Sequence, residues 1–352
     1  MPDTLETKGR PPGNVVLDYG GVLRPDDRRA LNTRELLAKL QPLIALALMV
    51  LALSLASPTF RTQTNLVNVL REISVNLCLS IGMTMIILTA GIDLSVGAVL
   101  ALAGVVAAGL LENGLVFPPL GVAVEFTVSG AVLAALLTGM ACGWVNGTVI
   151  TRFGVPPFVA TLGMLSAARG LTNLWTNGRP ITGLGKGFAA IGSGSLLGLP
   201  VPVWVSAALV AVFVVLTRRT RFGRYVYAAG GNERAAVLSG LPVPRVKRAV
   251  YTLGGALAGA AGLVLTSRLD AGDPTSGLGY ELDSIAAVVI GGTSLSGGRG
   301  SILGTVLGCL IIGVLNNGLV LLNVSPFWQQ VVKGVVIVAA VAVDRQNIKA
   351  NR

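Results

Sequence analysis

Histidine is absent from this 352-residue chain, and Asp, Glu, Lys and Arg together make up only 12% of it. Without histidine the chain loses the commonest general base, proton relay and zinc ligand at once. Globular proteins carry about 25% charged residues. Half that share, with a mean hydropathy of +0.74, excludes an ordinary soluble enzyme and a disordered chain. Aromatics are scarce at 5%, which argues against a membrane β-barrel with its aromatic girdles. Cys78, Cys142 and Cys309 stand far apart in apolar stretches. They read as small buried hydrophobes, neither a disulfide framework nor a metal site. Nor is a catalytic triad visible. The nearest approach to a phosphate loop, Gly183-Leu-Gly-Lys186, has Pro180 where its first glycine belongs and Gly187 where a hydroxyl is required. Any energy from ATP would have to come from another subunit.

What is abundant is apolar surface and glycine: 53% hydrophobic residues and 46 glycines. A helix needs roughly 20 mainly apolar residues to cross a bilayer, and glycine lets such helices pack closely. Ten apolar runs follow: Leu43–Ala56, Ile73–Ala90, Val96–Leu111, Phe126–Trp144, Val155–Leu171, Gly198–Thr217, Ala249–Thr266, Ser284–Gly298, Ile302–Leu322 and Trp328–Val343. The fifth is weakened by Pro156, Pro157 and Arg169, and the eighth is short and glycine-rich. The sequence therefore predicts an all-α polytopic membrane protein of about ten transmembrane helices, some broken or re-entrant. A faint echo between Gly91-Ile-Asp-Leu-Ser-Val-Gly97 and Gly292-Thr-Ser-Leu-Ser-Gly-Gly298 suggests an internal pseudo-repeat.

Charge orients the spans. The net charge of +11 reads as the positive-inside bias of inner-membrane proteins, not as nucleic-acid binding, since no soluble basic domain exists to hold a nucleic acid. Residues 1–40 carry seven basic and six acidic side chains with several prolines and glycines, and are expected to form a poorly ordered cytoplasmic tail with no cleaved signal peptide. The transmembrane domain is expected over 41–344. Within it, 218–248 carries eight basic residues against Glu233 alone, and 345–352 adds Arg345, Lys349 and Arg352. With both termini cytoplasmic and an even span count, these segments fall inside. Ser267–Asp283, with Asp270, Asp273, Glu281 and Asp283 against Arg268, falls outside.

A few polar residues interrupt the apolar runs. Asp93 is the one carboxylate between Ile73 and Leu111, and an ionisable group so close to hydrocarbon rarely faces lipid. It either lines a path or caps a helix at a short loop, with Ser95 a second capping candidate. Gly291-Gly-Thr-Ser-Leu-Ser-Gly-Gly-Arg-Gly300 is too glycine-rich for a plain helix, and non-helical backbone survives at membrane depth only against protein or a cavity. Thr293, Ser294 and Ser296 can offer hydrogen bonds to a polar solute there, or the segment is an exposed turn. Asn316 and Asn317 need partners inside an apolar run. Lys333 can snorkel or pair with an acid. Gly255-x-x-x-Gly259 and Gly304-x-x-x-Gly308 fit close helix packing. Within the basic segment, Asn232 reads as an N-cap, Glu233 suits the positive end of a helix, and Gly240 with Pro242 supplies a stop. That predicts a helix of about seven residues, resting on lipid or receiving force from a partner.

Taken in order, Thr89-Ala-Gly-Ile-Asp-Leu-Ser-Val-Gly97, Gly230-Gly-Asn-Glu233 and the stretch from Gly279-Tyr-Glu-Leu-Asp283 to Gly291-Gly-Thr-Ser-Leu-Ser-Gly-Gly298 resemble the permeases of bacterial monosaccharide ABC importers, the ribose/xylose/arabinose group. The resemblance spans about Leu40 to Asp344. It implies a dimer, usually of two copies of one permease chain, a cytoplasmic ATP-binding subunit often holding both nucleotide-binding domains, and a periplasmic sugar-binding protein. Glu233, Ala235, Ala236 and Gly240 match an E-x-A-A-x-x-x-G coupling pattern of that family. No cofactor is expected in this chain, ATP and magnesium being held by the ATPase. Alternating access of a neutral sugar follows, with Asp93, Ser95, Thr293, Ser294, Ser296 and Asn316 as path candidates from polarity. An ion-coupled secondary transporter would call for more intramembrane carboxylates than Asp93 and Glu125, and a membrane enzyme for a convergent acid–base set. Related importers of branched-chain amino acids, nucleosides or a signalling sugar stay open.

Overall fold

The computed structural model describes residues 25–117 and 122–350. Nine of the ten apolar runs fall largely on helices, and the eighth does so only in its first half. The first lies in α1 (Pro25–Ala56), which is followed by a single 3-10 turn at Pro58–Arg61. Residues 1–24 lie outside the described residues. From Pro25 the backbone is helical, so the end of the polar N-terminal stretch joins the first apolar run as one helix.

Then come α2 (Gln63–Leu88), α3 (Val96–Glu112), a short hairpin of β1 (Leu115–Phe117) and β2 (Val122–Val124), α4 (Val128–Arg152) and α5 (Pro157–Thr176). Pro156 and Pro157 do not break α5; they begin it. Proline suits the first helical position because its missing N–H would have had no partner. Arg169, further along α5, donates to the backbone carbonyls of Pro274 at 2.6 Å and Ser276 at 3.0 Å, so its guanidinium is held by the loop that contains them.

The chain continues through β3 (Ile181–Thr182), α6 (Lys186–Ser193), a small hairpin of β4 (Ser195–Leu196) and β5 (Leu199–Pro200), α7 (Val201–Arg219), α8 (Arg221–Gly231), α9 (Glu233–Leu238) and α10 (Val243–Leu269). It ends with β6 (Ala271–Gly272), antiparallel to β3, then α11 (Tyr280–Ile290), α12 (Ile302–Leu321) and α13 (Pro326–Ala350). Threonine, serine or asparagine side chains cap several of these helices. Thr62, Thr127, Thr220, Asn232 and Ser301 each accept the backbone N–H three residues on, replacing a bond the helix cannot make internally.

Among the described residues, five helices are long and apolar enough to cross a membrane: α2, α4, α7, α10 and α12. Gln41–Ala56 and α3 are shorter apolar stretches. The eighth run is only half helical, because α11 ends at Ile290 and the glycine segment after it is irregular. The protein is thus an all-α polytopic membrane protein. Of the five long apolar helices, α2 and α10 lie in the core, with 83% and 72% of their most apolar stretches buried against 28% for α4 and 22% for α7, and the shorter α3 is buried along most of its length. Cys78 and Cys309 are buried, Cys142 half-buried, and all three are free.

Glycine sets the closest approach. A side chain at Gly143 of α4 would meet the Tyr251 carbonyl of α10, and one at Gly255 would meet the Gly139 carbonyl. Gly304 and Gly308 of α12 lie likewise against the Gly291 and Ala287 carbonyls. Both G-x-x-x-G pairs anticipated from the sequence are therefore contact surfaces, and α4 answers α10 with its own Gly139, Gly143 and Gly147.

Candidate functional site

Two helices stop short in the same manner. At the end of α2, Ala90 takes a positive φ of 59°, its N–H donates to the Ile87 carbonyl, and Gly91 N–H donates to Ile86. At the end of α11, Gly292 has φ 84°, its N–H donates to Val289, and Thr293 N–H donates to Val288. Both are left-handed C-caps that satisfy the last carbonyls of a helix. A side-chain turn follows each: Ser95 N–H donates to Asp93 Oδ1 at 2.8 Å, and Ser296 N–H to Ser294 Oγ at 3.4 Å.

Asp93 is 2% exposed. Its Oδ1 also accepts the Ser95 hydroxyl at 2.6 Å, and Asn146 of α4 donates to Ser95 Oγ at 3.0 Å. Ser95 does stand at the head of α3 but makes no side-chain cap: its backbone is already right-handed helical, and its oxygen accepts from Asn146 while its proton goes to Asp93. The capping expectation for Ser95 is corrected accordingly: the pair closes a turn, and α4 pins it. Sequence reasoning missed Asn146, which is buried and lies 51 residues from Ser95.

The two loops touch. Gly298 N–H donates to the Leu88 carbonyl at 3.0 Å, and a side chain at Gly297 would press on Ala90. Thr293 is buried against Gly300, and its hydroxyl has no hydrogen-bond partner. The structure thus joins the loop that carries Asp93 and Ser95 to the loop that carries Thr293, Ser294 and Ser296 at Leu88, Ala90, Gly297 and Gly298. It separates Asn316 from them, since 15 residues of α12 from Ser301 amount to roughly 22 Å.

Asn316 belongs to a second polar cluster. Its Nδ2 donates to Asp283 Oδ2 at 3.3 Å, and Lys333 Nζ lies 2.8 Å from the same oxygen. Glu72, Asn76 and Tyr280 line the same cavity of about 10 Å³, room for a single water. Asp283, the last of the acids in Ser267–Asp283, is buried in α11 and is the acid that pairs with Lys333. An unpaired lysine in an apolar run was the available signal. Asn317 exchanges hydrogen bonds with Asn65 at 2.8 and 3.0 Å, the interhelical role expected of a membrane amide.

The anticipated short helix is present as α9, with six residues rather than seven. Asn232 caps it by accepting Ala235 N–H at 3.0 Å. Gly240, at φ 79°, and the Leu241 N–H to Ala236 carbonyl bond close it, and Pro242 leads into α10. Glu233 pairs with Lys247 at 2.8 Å. Ala236 packs inward with Ala229 and Val243, while Ala235 faces out and Val237 and Leu238 are 53% and 88% exposed. Those two apolar side chains were not singled out from sequence, because a six-residue helix gives too little periodicity to choose a face.

Helix α8 joins this segment to the loops. Gly230 fits between the Leu88 carbonyl and Gly298 N, where any side chain would collide with both. The Tyr227 hydroxyl donates to the Gly300 carbonyl at 2.9 Å. Burial raises the Tyr227 phenol above its usual value, with Arg218 opposing, so it keeps the donated proton. One consequence concerns Asp93. Asp93→Asn keeps an oxygen where Oδ1 accepts from Ser95, whereas Asp93→Leu removes it. In a size-exclusion assay we expect the first to accumulate near the native level and the second to fall severalfold, since an unsatisfied buried donor costs about 1–3 kcal/mol.

Comparison with known proteins defines the class. Residues 65–341 match the family model described as branched-chain amino acid transport system, permease component, and the chain belongs to that family of transport subunits. It is 47% identical to the ribose import permease protein of Bacillus subtilis, over 91% of this chain and 97% of that one. The corresponding figures for the ribose import permease protein of Escherichia coli K12 are 46%, 89% and 96%. For the L-arabinose transport system permease protein of the same organism they are 38%, 88% and 91%. No solved structure matches the chain.

Proposed function

We propose that this chain is the membrane subunit of an importer that moves a monosaccharide across the inner membrane by alternating access, driven by a separate ATPase. The observation that carries the reading is end-to-end similarity, at 46–47% identity, to two permeases named for ribose import. The family description mentions branched-chain amino acids, but the names of those relatives favour a sugar, and ribose is the first to test.

In this reading the chain crosses the membrane ten times with both termini cytoplasmic, the basic segment from Arg218 to Arg248 following the positive-inside bias. The ATP-binding subunit, which carries ATP and magnesium, docks on α9, where Val237 and Leu238 offer an exposed apolar face. Movement of α9 passes through α8 to the two glycine loops, because Gly230 and Tyr227 bear directly on them. Asp93, Ser95, Thr293, Ser294 and Ser296 then stand at the inner gate, and Asn316 with Asp283 and Lys333 at the opposite end. A periplasmic sugar-binding protein meets the loops at that opposite end, and a second permease copy completes the path.

The test is a mild-detergent pull-down of the tagged chain, followed by uptake in proteoliposomes with the co-purified partners. An ATP-dependent ribose uptake that needs a binding protein is expected. A chain that returns alone and takes up solute with an ion gradient overturns the reading. Within the complex, Glu233→Ala, Leu238→Asp and Gly240→Trp should each weaken ATPase association about tenfold or more, as removal of an interface anchor typically costs 1–2 kcal/mol or above. All three should still insert in the membrane. Native association in all three removes α9 from the docking surface.

A further inference from the structure

Beside the coupling segment, α4, α7, α8 and α10 leave an open groove of about 510 Å³. Trp144, Leu216, Phe222 and Leu253 form its apolar walls, and Arg245 and Arg248 stand in the same lining. Trp144 is 52% exposed. Arg245 is exposed and Arg248 half-buried. The Nε of Arg248 is buried with no hydrogen-bond partner, and its Nη2 reaches Thr151 Oγ1 only at 3.5 Å. Neither arginine has a carboxylate partner among the described residues, where the ion pairs are Lys247–Glu233 and Lys333–Asp283.

An apolar trough carrying two unneutralised guanidiniums calls for an occupant that is oily along its length and anionic at one end. We propose that this groove is a specific site for an anionic glycerophospholipid. Its phosphate is held by Arg245 and Arg248, and an acyl chain lies along Trp144, Leu216, Phe222 and Leu253. Three physical arguments support this occupant. Guanidinium forks match phosphate oxygens, and no carboxylate among the described residues competes for Arg245 or Arg248. Basic pockets between membrane helices on the cytoplasmic side suit lipid head groups. The groove also lies where α7 and α10 reach the segment with eight basic residues, the level of the inner head groups in the proposed orientation, and a half-exposed tryptophan is at home there. Because α8 forms one wall, the lipid is a structural part of the surface against which the coupling segment moves. The proposal rests on the chain's place in a membrane but not on which solute it carries.

The experiment is native mass spectrometry of the purified full-length chain after delipidation and titration with phosphatidylglycerol, cardiolipin or phosphatidylcholine. The wild type is expected to retain phosphatidylglycerol and cardiolipin well above phosphatidylcholine. Arg245→Gln with Arg248→Gln should reduce retention by about fivefold for each arginine. Leu253→Trp, which fills the groove and leaves the charge intact, should reduce it as well. Arg219→Gln with Arg224→Gln, on the same basic segment but outside the groove, should leave it unchanged. Equal retention of phosphatidylcholine overturns the proposal, as does undiminished retention in Leu253→Trp. So does a disulfide between two copies of a Trp144→Cys variant that excludes lipid, since a second chain would then be the occupant. If the arginine double variant does not fold, Leu253→Trp decides the matter alone. Loss of sugar uptake plays no part in the readout, so a failed transport assignment leaves this result standing.

Discussion

Gly143→Leu is expected to abolish accumulation of folded protein, whereas Gly143→Ala should leave a reduced but measurable fraction. The position faces α10 where a Cβ would meet the Tyr251 carbonyl and the Gly255 Cα. Backbone cannot rotate away as a flexible side chain does. Overpacking typically costs 1–3 kcal/mol and more where nothing can yield, so about 3 kcal/mol or above is the expectation for leucine. Such a loss is a large fraction of the 5–15 kcal/mol that holds a domain together. Fluorescence-detected size exclusion in mild detergent reads it directly. The control is Gly163→Leu on α5, where no atom lies within 4 Å of the added Cβ, and the peak there should stay near the wild-type height. Equal peaks for Gly143→Leu and Gly163→Leu would refute tight packing of α4 against α10.

Lys333→Met should lower the thermal midpoint sharply, and adding Asp283→Asn should recover most of the loss. The pair lies at 2.8 Å, with the lysine side chain 28% exposed and the aspartate side chain 7% exposed. Removing one member of a buried pair costs about 3–5 kcal/mol because a charge is left behind, while replacing both is often neutral. The lysine is partly in contact with its surroundings, so the lower end of that range applies. Asparagine at 283 keeps an oxygen for the Asn316 amide, which donates there at 3.3 Å. A single variant as stable as wild type, or a double variant no better than the single, would mean that the ion pair does not join α11 to α13. Transport in the double variant separates the roles further. Retained stability with lost uptake would place the charges in the path; retained stability with retained uptake would leave them as a clasp.

Much of this was legible in the residues. Long apolar runs and the deficit of charge specify membrane helices, because unsatisfied backbone in hydrocarbon leaves few other choices. Asn232, Gly240 and Pro242 specify the short helix α9, since a cap and a stop act through bonds a few residues away. The G-x-x-x-G pairs announce close contact. Their partners are another matter: Gly255 faces Gly139 of α4, and Gly308 faces Ala287 of α11. Spacing along one helix names a face but not what it meets. Asp93 was evident as a costly residue, yet Ser95 is no cap, because its oxygen accepts from Asn146, a partner 51 residues away. The partner of Lys333 was open for a related reason: Asp283 ends a run of acids, and only the turn of α11 puts its side chain inward, opposite Lys333.

The sequence by itself determined the class of protein, the run of helices and the two glycine-broken loops, all of which follow from local hydropathy, caps and backbone freedom. It could not determine the pairings Asn146–Ser95, Lys333–Asp283 and Gly298–Leu88, or the wedge of Gly230 between the loops. Those join residues from about fifty to more than two hundred positions apart. Each depends on which helix is neighbour to which and at what rotation. That choice is made by the whole bundle burying its small faces together, and only the tertiary structure records it.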